Sequence, residues 1–316
     1  IFRMFIMSWQ QLHLQCPKSA VELAEALFDE AGAVSILLED AGDEPLFEPM
    51  PGEEPLWRDV VVTAIFDTNS DDSWAGTHFE NLAAKIASEV NATRFWLTSL
   101  DDKDWTREWM SYYQPIQCAG NLWIVPEWLP APDPAAINLI LDPGLAFGTG
   151  YHATTRLCLD WLAAQELSDK LVIDYGCGSG ILGVAALLLG ARQVLAVDID
   201  PQAVLATRQN AALNGVDDRL LAFLPAEFDA YRTQNPQLAD VITANILAKP
   251  LIGFAPLFHD LLKTGGLIVL AGLTQNQTQA VIDAYSPYIT LDVPFCYADA
   301  QDCHWQRLSG IKPTNP

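Results

Sequence analysis

The segment KLVIDYGCGSGILG, residues 170–183, constrains the fold more than any other in the chain. An apolar run closes on Asp174 and Tyr175, glycines follow at alternate positions (Gly176, Gly178, Gly180), and an Ala/Leu-rich run begins at once. A strand, a tight turn and a helix packed this closely form a βα unit, and a βα unit demands a parallel partner strand. The downstream sequence supplies several. LVIDYG, QVLAVDID, LLAFL, ADVITANIL and GLIVLAG read as strands, alternating with helical stretches that begin near Ser179, Pro201, Ala248 and Gln275. The expected architecture is α/β, a mainly parallel, doubly wound, Rossmann-like sheet. Two last strand-like runs, ITLDVPFCYA and CHWQRLSG, have no helix-length segment between them and are expected to close one edge as an antiparallel hairpin.

The first hundred residues follow a different pattern. WQQLHLQC, the helical SAVELAEALFDEAG, AVSILLE, DVVVTAIF, the helical FENLAAKIASEV and RFWLTSL give the order β-α-β-β-α-β of a ferredoxin-like α+β domain. A Pro/Glu/Gly stretch, GDEPLFEPMPGEEP, interrupts it as a loop. Next, DDKDWTREWMSYYQP sets Trp105, Trp109, Tyr112 and Tyr113 on one helical face ended by Pro115, the pattern of a connector helix buried against a neighbour. NLWIVPEW and AINLILDPG read as short strands leading into a second glycine-rich segment. A length of 316 residues accommodates two domains. The expected division is residues 7–101 for the ferredoxin-like domain, 102–130 for linker helix and connector, and 131–316 for the α/β domain.

Composition narrows the partners. Seventeen basic against forty acidic residues leave a formal net charge of −23, which opposes binding to a phosphate backbone or an anionic membrane and favours a basic protein. The same charge also serves simply to keep an acidic protein soluble. The six cysteines show no C-x-x-C pair and several sit among apolar residues, as reduced thiols of a cytoplasmic protein would. The five histidines lack ligand spacing, so no metal is expected. The start, IFRMFIMSWQ, is too short to span a bilayer, and the residues before Met7 read as an upstream extension.

Glycines such as Gly176 and Gly178 let a ligand approach the backbone, and Asp198 closes the next strand about 20 positions on, where an acid accepts from ribose hydroxyls. Both features fit an adenosine-bearing cofactor. Gly178, Gly180 and Gly183 also satisfy G-x-G-x-x-G, which keeps a nicotinamide or flavin dinucleotide open. Asp174, two residues before the first glycine, argues against a pyrophosphate by like-charge repulsion and suits the cationic S-adenosylmethionine. Cys177 reads as a small apolar filler. In the second glycine-rich segment, LDPGLAFGTGYHATTRLCLDWL (residues 141–162), Gly144, Gly148 and Gly150 precede a helix that Thr154 or Thr155 would cap.

The strings LDPGLAFGTGYHATT, VIDYGCGSGILG, VDIDPQAV, NAALNGV and ANILAKPL, with DDKDWTREWM and LWIVPEW upstream, closely resemble the PrmA family, bacterial methyltransferases of large-subunit ribosomal protein eleven. The resemblance runs from Met7 to Gly310. It implies a substrate-recognition domain, a linker and a class I methyltransferase domain using S-adenosyl-L-methionine. Thr155, Gly176, Asp198 and Asn245 match family positions that contact this cofactor; with Gly178 they are the expected cofactor-binding set. No catalytic residue is assigned, although Asn245 is placed to orient the amine. Tyr151 and Ala153 stand where Thr and Pro are expected, which bears on the stiffness of that loop. The implied acceptors are lysine ε-amines and the N-terminal α-amine of a basic ribosomal protein. The enzyme is expected to act in the cytoplasm as a monomer, without direct contact to nucleic acid or membrane. Asn245-Ile246-Leu247-Ala248 lacks the Asn-Pro-Pro-aromatic string of many nucleobase or amide methyltransferases, which favours a flexible alkyl amine. A nicotinamide-dependent oxidoreductase, a noncatalytic protein-binding module and a methyltransferase of another amine are the alternatives.

Overall fold

In β1 (Trp9–Pro17) side chains alternate across the strand, so Leu12, Leu14 and Cys16 are wholly buried while Gln11, His13 and Gln15 line the other face. The computed structural model describes residues 9–42, 56–67, 77–100, 110, 113–142, 148–297 and 305–314. The chain divides into two units, Ile1–Tyr112 and Tyr113–Pro316.

In the first unit β1 is followed by α1 (Val21–Glu30), β2 (Ser35–Asp40), β3 (Asp59–Asp67), α2 (Thr77–Glu89) and β4 (Arg94–Leu100). The strands lie in the order β2-β3-β1-β4, every neighbouring pair antiparallel. Val21, Ala24 and Phe28 of α1 and Phe79, Ala83 and Ile86 of α2 repeat at helical spacing and share one core with the apolar face of the sheet. This is the ferredoxin-like arrangement read from the sequence. Trp105, Trp109 and Tyr112 of the expected connector helix lie outside the described residues. Tyr113 packs edge-on against Trp128 and Tyr151.

The second unit opens with a three-stranded sheet, β5 (Ile116–Gln117), β6 (Leu122–Pro126) and β7 (Ile137–Leu141). Then come α3 (Ala153–Ala163), β8 (Leu171–Tyr175), α4 (Ile181–Leu188), β9 (Gln193–Val197), α5 (Pro201–Leu213) and β10 (Leu220–Phe223). They are followed by α6 (Pro225–Gln234), β11 (Ala239–Asn245), α7 (Ala248–Leu261), β12 (Leu262–Thr274), α8 (Gln275–Tyr285), β13 (Thr290–Leu291) and β14 (Trp305–Ile311). The seven-stranded sheet has the order β10-β9-β8-β11-β12-β14-β13. Its first five strands are parallel, and β14 and β13 add an antiparallel edge. Strand β8 is buried on both faces: Val172 joins the core under α3, α4 and α5, whereas Leu171 and Ile173 join the core under α6, α7 and α8. The result is a three-layer α/β/α stack, with the sheet order reversing between β8 and β11.

Helix α6 is not among the helices expected from sequence. Its polar residues mask any periodicity, but Pro225 opens it and Glu227 accepts from Leu224 N at 3.0 Å. Cys16, Cys118, Cys158 and Cys177 are free and buried, as expected, whereas Cys296 is disulfide-bonded and departs from the reduced-thiol reading. Among the described residues no helix is long and apolar enough to cross a membrane, and no cluster of His, Cys, Asp and Glu is arranged to hold a metal.

Candidate cofactor and acceptor site

The carboxyl ends of β8 and β11, where the strand order reverses, are where a doubly wound sheet leaves a crevice. Strand β8 runs straight into the glycine turn. Gly176, Gly178 and Gly180 all have positive φ (80°, 54° and 79°), a region closed to most side chains, which is why glycine recurs at alternate positions. The turn folds back on its neighbour: Gly176 N and Cys177 N both donate to Val197 O, at 2.7 and 3.1 Å. Gly178 N donates to Asp198 Oδ2 at 2.9 Å, and Gly180 N to Cys177 O at 2.7 Å. Asp198 also accepts from Asp200 N through its other oxygen at 3.0 Å, and its side chain is half-buried at the rim of the turn.

Asp174 does not stand where the sequence argument put it. Its side chain is wholly buried, accepting from Gly183 N and Thr243 Oγ1 at 2.9 Å each. It therefore cannot face a ligand. Burial pushes its carboxyl up to about 7 against the pull of those two hydrogen bonds, with the Asp198 charge adding to the rise. The case against a pyrophosphate drawn from Asp174 therefore falls. The N–H groups of Gly176, Cys177, Gly178, Gly180 and Gly183 all donate inside the protein. At its rim the turn presents the Asp198 carboxylate, an acceptor for ribose hydroxyls. Gly183, third in the G-x-G-x-x-G reading, is a packing position, since a Cβ there would stand 3.0 Å from Val194 Cγ1 and 3.2 Å from Asp174 Oδ2.

The second wall comes from α3 and the end of β11. Thr155 is buried, and Asn245 Nδ2 donates to its Oγ1 at 3.2 Å. The helix cap is His152, which accepts from Thr154 N at 3.4 Å, so neither Thr154 nor Thr155 plays the capping role allowed from sequence. Because Nδ1 of His152 is an acceptor, its neutral ring carries the proton on Nε2; burial lowers its pKa and holds it neutral. The two glycine-rich segments are tied by Ser179 Oγ, which donates to Gly148 O at 2.7 Å. The walls meet at Ile246: a Cβ on Gly176 would overlap Ile246 Cγ2. Of the five residues expected to hold the cofactor, Gly178 is bonded to Asp198, Asn245 is bonded to the buried Thr155, and Gly176 lies against Ile246, the neighbour of Asn245. An open cavity of about 590 Å³ on the β10 edge, lined by Arg208, Leu221, Phe223 and Glu227 among others, contains none of the five.

Three contributors were not singled out from sequence. Thr207 Oγ1 donates to Gly178 O at 3.0 Å and lies 3.2 Å from Cys177 Sγ, while Asn210 Nδ2 donates to Ser179 O at 2.8 Å; both are buried on α5 and brace the turn from behind. Their signal was two polar residues three apart on a helix face that otherwise buries Ala and Val. The third is Ile199, next to Asp198, an aliphatic side chain left 81% exposed beside the rim. Cys177 is buried with its thiol pushed far up by desolvation, consistent with a filler and not a nucleophile.

Comparison with known proteins follows the same lines. A family profile described as Ribosomal protein L11 methyltransferase (PrmA) matches residues 8–312. A Psychrobacter cryohalolentis protein named Ribosomal protein L11 methyltransferase is 62% identical over 307 residues, covering 96% of this chain and 99% of its own. An Acinetobacter baumannii protein of the same name is 50% identical over 309 residues, covering 98% and 99%. Among solved structures, a ribosomal protein L11 methylase from Lactobacillus delbrueckii subsp. bulgaricus is similar at a TM-score of 0.55 and 30% identity, over 64% of this chain and all of the other.

Proposed function

The chain belongs to the PrmA family, S-adenosylmethionine-dependent methyltransferases of a ribosomal protein, and from that premise we propose that it methylates lysine ε-amines and the N-terminal α-amine of ribosomal protein L11. The observation that carries the reading is the glycine turn with Asp198 at its rim, in a chain that matches the PrmA family profile over residues 8–312. When bound, S-adenosylmethionine supplies a methyl group on a sulfonium, open to in-line displacement by a neutral amine. Each Asp198 oxygen already accepts one backbone bond and keeps a further lone pair for a ribose hydroxyl. Asn245 spends one N–H on Thr155 and, among the described residues, has no donor to Oδ1, which can accept from an incoming amine and aim its lone pair. A lysine amine has a pKa of about 10.4 and an α-amine about 7.7 to 8, so the ε-amine meets the larger deprotonation penalty near neutrality. Nearby positive charge and partial desolvation both lower it.

The acidic surface, 40 acidic against 17 basic residues, favours a basic substrate in the cytoplasm and works against direct binding of nucleic acid. The ferredoxin-like unit is assigned the task of gripping that substrate. Incubating the enzyme with L11 and labelled S-adenosylmethionine, followed by peptide mass spectrometry, tests the reading. Methyl increments are expected on lysines and the α-amine. Absence of label from L11, or label confined to side chains other than amines, would overturn it.

A further inference from the structure

The turn that follows Asn245 is gripped from two sides by glycines that belong to other strands. On one side lies Gly176 at the end of β8, against the Ile246 side chain. On the other lies Gly272 of β12. Strands β11 and β12 run parallel with Asn245 opposite Ala271, so Gly272 is the next residue up, level with Ile246. Its φ is +85°, and a Cβ there would overlap Ile246 O and stand 2.8 Å from Ile246 C and 3.0 Å from Ile246 N. All three are backbone atoms, which cannot swing aside as a side-chain tip can. Gly272 also sits where the pairing of β12 with β14 changes register, between Leu270 and Leu273, beyond which Thr274 pairs with Trp305. A bulge of this kind re-aims the chain while leaving the flanking ladder intact.

We propose that Gly272 is a positioning residue for methyl transfer: lacking a side chain, it lets the Asn245-Ile246-Leu247 turn seat to the depth at which Asn245 meets Thr155 beside the glycine turn. The inference rests on the reading of Asn245 as the residue that orients the amine. A methyl group at position 272 drives the Ile246 peptide toward Gly176, where Ile246 Cγ2 already fills the space, and shifts Asn245 with it.

The test compares Gly272→Ala with Gly215→Ala. Gly215 also has positive φ (64°), but a Cβ there meets nothing within 4 Å, so it tests a left-handed backbone position without the collision. For each, kcat and KM toward L11, the Kd of S-adenosylhomocysteine and Tm are measured. Gly272→Ala is expected to lower kcat by at least about tenfold with KM changed by less than about twofold, while Gly215→Ala loses Tm and keeps kcat. Equal kcat in the two variants would overturn the proposal. If Gly272→Ala does not fold, Ile246→Ala decides: it releases the turn on the Gly176 side and should lower kcat in the same way, and an unchanged kcat refutes the inference. Asn245→Ala separates the two levels. If it loses kcat while Gly272→Ala does not, only the inference fails; if it retains full kcat, the reading of Asn245 fails and the inference with it.

Discussion

Asp198 is the residue on which cofactor affinity should depend most directly. Its carboxylate is fixed by Gly178 and Asp200 and half-open at the rim. Hydrogen bonds to a charged acceptor are worth about 1.5–3 kcal/mol, so Asp198→Ala is expected to weaken S-adenosylhomocysteine binding by about 10- to 100-fold, measured by calorimetry. Asp174 predicts something different. Its native carboxyl titrates near pH 7, above its unfolded value, so the folded state holds a proton that the unfolded chain has released. Its contribution to stability is complete below the unfolded pKa of about 3.9 and is lost as pH rises through the folded value. Asp174→Asn removes that titration, and its Tm should fall less than that of the natural protein between pH 4 and 7; parallel Tm profiles would contradict this. The sequence showed that an acid stands at this corner but not which way it points. Asp174 is the last residue but one of β8 and Asp198 follows β9, and only the packing of Thr243 and the α4 backbone turns Asp174 inward.

At the scale of elements, the strands and most helices of the second unit were legible because a parallel strand covered on both faces reads as a continuous apolar run. Helix α6 was not, since it buries little besides Phe228. Helix α5 was legible as a helix but not as a brace. Thr207 and Asn210 look like ordinary helix polar residues until the glycine turn is placed against them. Thr207→Val keeps the shape but leaves the part-buried Gly178 O without its side-chain donor, a loss of about 0.5–1.5 kcal/mol. The expected outcome is a lower Tm together with weaker S-adenosylhomocysteine binding. A variant with lowered Tm and unchanged affinity would show that the brace serves stability alone.

For the molecule as a whole, charge is the property that needs no coordinates. With a net charge of −23 and a basic proposed substrate, KM for L11 should rise as salt is increased from about 0.05 to 0.5 M, as the screening length shrinks from above 10 Å toward a few ångströms, with kcat little changed. A flat KM would remove the charge argument. If the first unit grips the substrate, residues 113–316 alone should bind S-adenosylhomocysteine and fail to methylate L11. The residue pattern alone was enough for the two folds and for the glycine turn, because apolar periodicity and the glycine demand of left-handed turns are local properties of a chain. Tertiary structure alone decided which aspartate faces the crevice, which helix backs the turn and why Gly272 lacks a side chain, because each depends on atoms that the fold brings together from distant parts of the sequence.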